Sequence, residues 1–150
     1  MALHFLGDIK EDNVCIALQI VEKLIGKIKI KKQMIKIYID GGTRGSRICL
    51  VDKNENKIII KTRGGKPTNN ELEYLALLYA LEYCNNRHKN DYVEIYSDSR
   101  LVVNQINGKW RITTETLKPL YEKCSIKMRD NYILKWISRD YNLAGHVLEG

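Results

Sequence analysis

The sequence predicts an α/β domain, a five-stranded mixed sheet with helices on both faces, preceded by a helical extension. Two observations predict it. Three short strand-like stretches follow one another between residues 34 and 62 with only turn residues between them. Later strand-like stretches are separated by helix-like ones. Tight links require antiparallel neighbours, whereas helical connections allow parallel ones, so both kinds of pairing are expected in one sheet.

Residues 1–33 read as the extension. A polar opening with Asp8, Glu11 and Asp12 leads into Ile16–Ile25, whose apolar positions 16, 17, 18, 20, 21, 24 and 25 suit a helix with a broad apolar face. A basic run, Lys27, Lys29, Lys31 and Lys32, closes it. This segment is expected to pack on the main domain or a neighbour, its basic end solvated or touching nucleic acid.

Residues 34–150 form the main domain. Ile35–Ile39 alternates as a half-buried strand and ends at Asp40, followed by Gly41, Gly42 and Gly45 in a turn. Arg47–Val51 and Lys57–Thr62 are the second and third strands, separated by the turn formers Asp52, Asn54 and Asn56. Gly64, Gly65 and Pro67 break the chain before a long helix from about Asn70 to Asn85. Val93–Ser97 is a fourth strand with Asp98 at its tip. Helices are expected over Ser99–Ile106 and Thr116–Met128, a fifth strand over Tyr132–Ile137 and a last helix over Leu143–Glu149.

The totals narrow the function classes. A chain of 150 residues with 44% hydrophobic and 29% charged residues suits one globular domain with a core of its own. A net charge of +7 is compatible with a polyanionic partner. The cysteines at 15, 49, 84 and 124 form no CxxC pair, so reduced core thiols are expected and a disulfide scaffold is not. No apolar run reaches the ~18–20 residues of a membrane span. The N-terminus lacks signal-peptide features. A cytoplasmic protein is expected, a monomer unless residues 1–33 provide an oligomer contact.

The acidic positions carry the chemistry. Asp40 and Asp98 end the first and fourth strands, and if those strands are parallel neighbours both side chains emerge at one sheet edge, where open α/β sheets bind ligands. Each also has a structural use: Asp40 can open the glycine turn, and Asp98 can cap the helix after it, as Ser99 can. Glu73 is more telling. It heads a stripe formed by Ala76, Leu77, Ala80, Leu81 and Cys84, so its carboxylate faces the core side, where a charge needs a partner. Hydrolysis of a phosphodiester without a covalent intermediate needs an activated water and a stabilised leaving oxygen. Two Mg²⁺ ions about 4 Å apart supply both and take oxygen ligands.

Tyr38-Ile-Asp40-Gly-Gly, Thr68-Asn-Asn-Glu-Leu-Glu73-Tyr and Tyr96-Ser-Asp98-Ser99 resemble, in order, signatures of the ribonuclease H family. Leu101–Trp110 and Leu117–Tyr121 extend the likeness, which covers about residues 35–149. The resemblance implies strand order 3-2-1-4-5 and a site for two divalent metal ions, Mg²⁺ or Mn²⁺. It implies cleavage of the RNA strand of RNA–DNA hybrids, leaving 5′-phosphate and 3′-hydroxyl ends. Asp40, Glu73 and Asp98 would be metal ligands, with Asp40 shared by both ions. Asn69 and Asn70 resemble minor-groove contacts, and Gln105 joins them as a further substrate contact. The 2′-hydroxyl would distinguish RNA from DNA.

Two departures stand out. The chain passes from Trp110 to Leu117 without a basic insertion, as in compact members of the family. Those members often end in a segment like R-E-x-N-x-x-A-D, whose Asp is the fourth ligand. Here the segment is Arg139-Asp-Tyr-Asn142-Leu-Ala-Gly-His146, which puts His146 at the aspartate position. A neutral imidazole can ligate a metal, and a softer nitrogen donor predicts good tolerance of Mn²⁺. Asp140 and Glu149 fit that position less well. Arg139 resembles a loop residue that handles phosphate or product. The competing expectation is an inactive module of the same fold that binds hybrid or double-stranded nucleic acid. A DNA-cutting relative such as a junction resolvase is disfavoured by the Thr68-Asn-Asn loop.

Overall fold

The computed structural model describes residues 12–25 and 33–150. The chain divides into two compact units, Met1–Gln33 and Met34–Gly150. In the first, residues 12–25 form helix α1, with side chains exposed throughout. Asp8, Glu11 and the basic run from Lys27 to Lys32 lie outside the described residues. Among the described residues no helix is long and apolar enough to cross a membrane.

The second unit is built on strands β1 (Met34–Gly42), β2 (Arg47–Asp52), β3 (Lys57–Thr62), β4 (Tyr92–Ser97) and β5 (Tyr132–Trp136). Their order is β3-β2-β1-β4-β5. The meander pairs antiparallel, β1 with β2 and β2 with β3, while β4 runs parallel to β1 and β5 parallel to β4. Four helices join them: α2 (Asn69–Arg87), α3 (Arg100–Ile106), α4 (Lys118–Lys127) and α5 (Leu143–Glu149). A single 3₁₀ turn, Arg139–Tyr141, precedes α5.

Alternation along β1 splits the core between the two faces of the sheet. Ile35, Ile37 and Ile39 join the larger apolar cluster, with Leu72, Leu77 and Leu81 of α2, Val102 of α3 and Cys124 of α4. Tyr38 points the other way, into a smaller cluster with Cys49, Val51 and Ala144 of α5. Asp40 shares the parity of Tyr38 and emerges on the α5 side.

Local chemistry explains the element ends. The β1–β2 turn places Gly45 at φ +78° and Ser46 at φ 48°, the left-handed geometry that a tight hairpin needs. The Asp52 carboxylate accepts from the amides of Asn54 and Glu55 and closes the β2–β3 turn. Helix α4 starts later than the sequence pattern suggests because Pro119 sits in its first turn, where a missing N–H costs nothing.

Candidate metal centre

Three elements deliver the three acids. Ile39 lies opposite Ser97 in the parallel β1–β4 pair, so the next residues, Asp40 and Asp98, leave the sheet side by side. Glu73 comes from α2, whose start is fixed by the Thr68 N-cap. The Thr68 hydroxyl accepts from the Glu71 amide at 3.2 Å and donates to the Glu71 carboxylate at 3.1 Å. That cap leaves Asn69 and Asn70 exposed in the first turn.

Gly41 lets the helix reach the strand end. A Cβ there would stand 2.5 Å from the backbone carbonyl of Leu72 and 2.8 Å from the Glu73 nitrogen. Only a residue without a side chain permits this approach. The Gly41 amide donates to Glu73 Oε1 at 3.2 Å, and Glu73 Oε2 is buried without a hydrogen-bond partner.

One ligand oxygen from each of Asp40, Glu73 and Asp98 falls within 4.8 Å of the other two. Asp40 is 7% and Glu73 4% exposed. Burial raises the Asp40 carboxyl above its ordinary range, and the Asp98 charge adds to this. Burial and then the Asp40 charge push Glu73 up to about 9. Ionised together, the three converging carboxylates would repel one another, and one of them has an orphaned buried oxygen. The donor set is all oxygen, which is what a hard divalent cation takes, and a cation there would relieve both the repulsion and the orphaned atom. The residues therefore fit a divalent metal.

Asp98 is held from two sides. Asn142 Nδ2 donates to Asp98 Oδ2 and to the Ile39 carbonyl, both at 3.0 Å, while Asn142 Oδ1 caps α5 by accepting from the Ala144 amide. The indole Nε1 of Trp136 donates to the Asp98 carbonyl at 3.1 Å.

The remaining sequence-derived candidates are distributed unevenly. The cleft at the acids is also lined by Asn69, Arg44, Arg47, Arg139 and Glu149. Arg139 Nε lies 2.9 Å from Glu149 Oε1. Asn70 follows on the exposed first turn of α2. Gln105 departs from the expected direct contact. It is 5% exposed, and its amide is engaged inward, accepting from Tyr74 Oη at 2.6 Å and donating to the Arg111 carbonyl at 3.3 Å. His146 is exposed on α5 and is not one of the three grouped ligands. The residue of α5 over the acids is Gly145, where a Cβ would lie 3.6 Å from both Asp40 Oδ2 and Asp98 Oδ2.

Sequence reasoning missed the structural work of Asn142, Trp136, Gly41 and Gly145. A signal existed for Asn142, an asparagine just before a short apolar helix, which is the pattern of an N-cap. A second group, Asp52, Glu55 and His88, also lies within metal-binding distance, but its atoms are already engaged with one another and with Tyr83 and Arg87.

Comparison with known proteins agrees with this geometry. A family model described as reverse transcriptase-like matches residues 39–148. LC11-RNase H1, isolated from compost, is 30% identical, with 77% of this chain and 91% of that one covered and a TM-score of 0.64. The same enzyme solved in complex with an RNA/DNA hybrid is 31% identical over 73% of this chain and 88% of that one, with a TM-score of 0.63. RNase H1 from the halophilic archaeon Halobacterium salinarum NRC-1 is 26% identical, covering 77% and 94% with a TM-score of 0.62. The chain belongs to the ribonuclease H family.

Proposed function

We propose that this domain is an endoribonuclease that hydrolyses the RNA strand of RNA–DNA hybrids, leaving 5′-phosphate and 3′-hydroxyl ends. The observation that carries the proposal is the meeting of Asp40, Glu73 and Asp98 within 4.8 Å, with Glu73 Oε2 buried and unpartnered. The hybrid-bound structure of LC11-RNase H1 supports the choice of substrate.

Asp40, Glu73 and Asp98 would hold two divalent ions, Mg²⁺ or Mn²⁺, with Asp40 the shared ligand. When bound, such ions supply an activated water and stabilise the leaving oxygen. The protein's own contribution is alignment. Gly41 lets Glu73 close on Asp40, and Asn142 and Trp136 fix Asp98. Asn69 and Asn70, fixed by the Thr68 cap, are offered to the hybrid's minor groove. Arg139, beside the acids and on a surface loop, meets the phosphate. Gln105 contributes to substrate binding through the loop at Arg111 that it holds. His146, the residue after Gly145 on α5, would be the fourth ligand.

All four cysteines are unpaired, which suits a reducing compartment, and we place the activity in the cytoplasm. The protein acts as a monomer, unless residues 1–33 make a contact between copies.

The test compares cleavage of labelled RNA–DNA, RNA–RNA and DNA–DNA duplexes of one sequence in Mg²⁺. Cutting confined to the RNA strand of the hybrid is the expected result. Preference for either homoduplex would overturn the assignment. The alternative, an inactive module that binds hybrid or double-stranded nucleic acid, is favoured by one observation, that the structure groups three ligands and leaves His146 outside. A binder would retain the hybrid without cutting it.

A further inference from the structure

A groove that the metal centre does not use runs along α2 on the side of the edge strand β3. Side chains alternate along a strand, so residues 57, 59 and 61 share the face of β3 that looks toward α2. Arg63, whose amide donates to the Ser46 carbonyl at 2.7 Å, continues that row just past the strand end. All of the row but Ile59 are cations. Lys61 Nζ stands 5.2 Å from the centroid of the Tyr79 ring and Lys57 Nζ 5.9 Å from that of Tyr83, both rings belonging to α2. Arg63 borders the same hollow as Lys61 and Tyr79. The cation–aromatic contacts restrain two flexible lysines within the groove.

The protein does not neutralise this row itself. Glu82, the acid in the groove wall, lies 3.8 Å from Lys127, and Glu55, which touches Tyr83, pairs with Arg87 at 2.8 Å. Among the described residues Lys57, Lys61 and Arg63 have no acidic partner. The groove is also continuous with the metal cleft. Successive hollows along α2 share wall residues, Tyr79 and Glu82 at the far end, Arg63 and Leu75 at the near one. The nearest hollow reaches Pro67, next to the Thr68 cap and the Asn69 that lines the cleft. From Lys57 to Arg63 the row is about 20 Å long. Over that length a duplex, with a turn of about 34–36 Å, winds its backbone through more than half a circle and lifts its phosphates off the row. A single strand can follow it, and a basic groove that tracks the backbone holds such a strand without reading its sequence.

We propose that the β3–α2 groove binds single-stranded nucleic acid, with Lys57, Lys61 and Arg63 taking phosphates of a strand that runs on past the end of the hybrid. The proposal rests on the hybrid-cleaving reading above and adds to it a second surface, which favours hybrids with an unpaired tail over blunt ones. Tyr79 and Tyr83 position the lysines and do not themselves read bases.

The full chain and a double variant, Lys61→Ala with Arg63→Ala, are compared for metal-free binding of fluorescent hybrids over a range of KCl, and for cleavage in Mg²⁺. The substrates are a blunt hybrid, the same hybrid with a single-stranded tail of about eight nucleotides on each strand end in turn, and a blunt hybrid lengthened by as many base pairs. At one tail position the wild type is expected to bind about tenfold tighter than to the blunt hybrid. The slope of log K against log salt should steepen there by about 2, three phosphate contacts at about 0.7 each. The double variant should lose about 1.4 of that slope and most of the added affinity, while keeping wild-type binding and cleavage of the blunt hybrid. Its melting temperature is unchanged, because both residues are exposed. Cations that only guard an edge strand against pairing would give no gain from a tail. That result, an equal gain from the longer duplex, or a variant that loses affinity for blunt and tailed hybrids alike overturns this inference, and cutting of the blunt hybrid leaves the cleavage reading intact. A wild type that neither binds nor cuts any of these hybrids overturns both.

Discussion

Asn142 and Asp98, 44 residues apart in sequence, are joined by a hydrogen bond of 3.0 Å from the side-chain amide to the carboxylate. The same amide holds the Ile39 carbonyl, so one buried asparagine ties the last residue before Asp40, the acid just past β4 and the start of α5. Asn142→Ala removes all three links. It is expected to cost about 1 kcal/mol for the lost cap, with more for the unsatisfied Ile39 carbonyl. Loss of a group that orients a metal ligand lowers activity by about 10–100-fold. Asn142→Asp keeps a cap but faces Asp98 with a second charge, so stability should recover more than kcat does. Thermal denaturation with steady-state kinetics checks both halves.

Two glycines line the centre, and they are expected to respond differently to the same substitution. Gly41→Ala places a methyl 2.5 Å from the Leu72 carbonyl group, so α2 must move. Overpacking of this kind costs about 1–3 kcal/mol and here also draws Glu73 away from Asp40. Gly145→Ala meets Asp40 Oδ2 and Asp98 Oδ2 at 3.6 Å, an ordinary contact, and should leave the fold standing. Urea unfolding of the two variants, with metal affinity by calorimetry, distinguishes them. Equal stability would contradict the close approach of α2.

Metal-free stability should fall as pH rises. Burial, and then the Asp40 charge, push Glu73 up to about 9, against about 4.3 for an unperturbed glutamate. Between those values the folded state keeps a proton that the unfolded chain releases, so unfolding becomes easier as pH increases through the window. Glu73→Gln removes this cost and should raise the melting temperature in EDTA by a few degrees near neutral pH, with little gain near pH 4. Divalent metal should stabilise the wild type and release protons on binding. A melting temperature in EDTA independent of pH between those limits would contradict the account.

Asp52 predicts the opposite pH dependence. Burial alone would raise its carboxyl, but hydrogen bonds from His88 and Tyr83 and the Glu55 amide outweigh that and hold it below the ordinary carboxylate range. Its contribution is therefore complete above about pH 3.9, the unfolded value, and is lost as pH falls through the lower folded value. Asp52→Asn weakens a buried hydrogen bond to His88, whose Nε2 lies 2.8 Å away, and should destabilise by about 1.5–3 kcal/mol. Cleavage at low temperature should persist, because the pair stands apart from the metal centre. The checks are chemical denaturation at neutral pH and an acid titration followed by circular dichroism.

Much of this architecture was legible in the chain, for definite reasons. Alternation in Ile35–Ile39 and its abrupt end at Asp40 placed β1 and its acid, and the apolar stripe behind Glu73 placed that carboxylate on the buried side of α2. Those signals are periodic, so they survive without tertiary information. What was not legible depends on contacts distant in sequence. Gln105, expected as a substrate contact, is also used by Tyr74, 31 positions away. The roles of Gly41 and Gly145 arise where a helix passes over a strand end, which no local pattern encodes. Counting from Arg139 and Asn142 puts His146 at the ligand position, and the structure sets Gly145 toward the acids with the imidazole exposed. Its part in the centre is open to a direct comparison. If it ligates, His146→Ala should weaken metal binding and narrow the tolerance of Mn²⁺.

The most direct test of the central claim replaces one charge. Wild type and Asp98→Asn are compared for Mg²⁺-dependent cleavage of an RNA–DNA hybrid, with hybrid binding measured on the same samples. If the three carboxylates form the catalytic metal centre, the wild type cuts the RNA strand to 5′-phosphate ends. Asp98→Asn, folded and still binding hybrid, should lose that activity by at least about 100-fold. An Asp98→Asn variant that cuts as fast as wild type, or a folded wild type that leaves the hybrid whole in Mg²⁺ and Mn²⁺ alike, would contradict it.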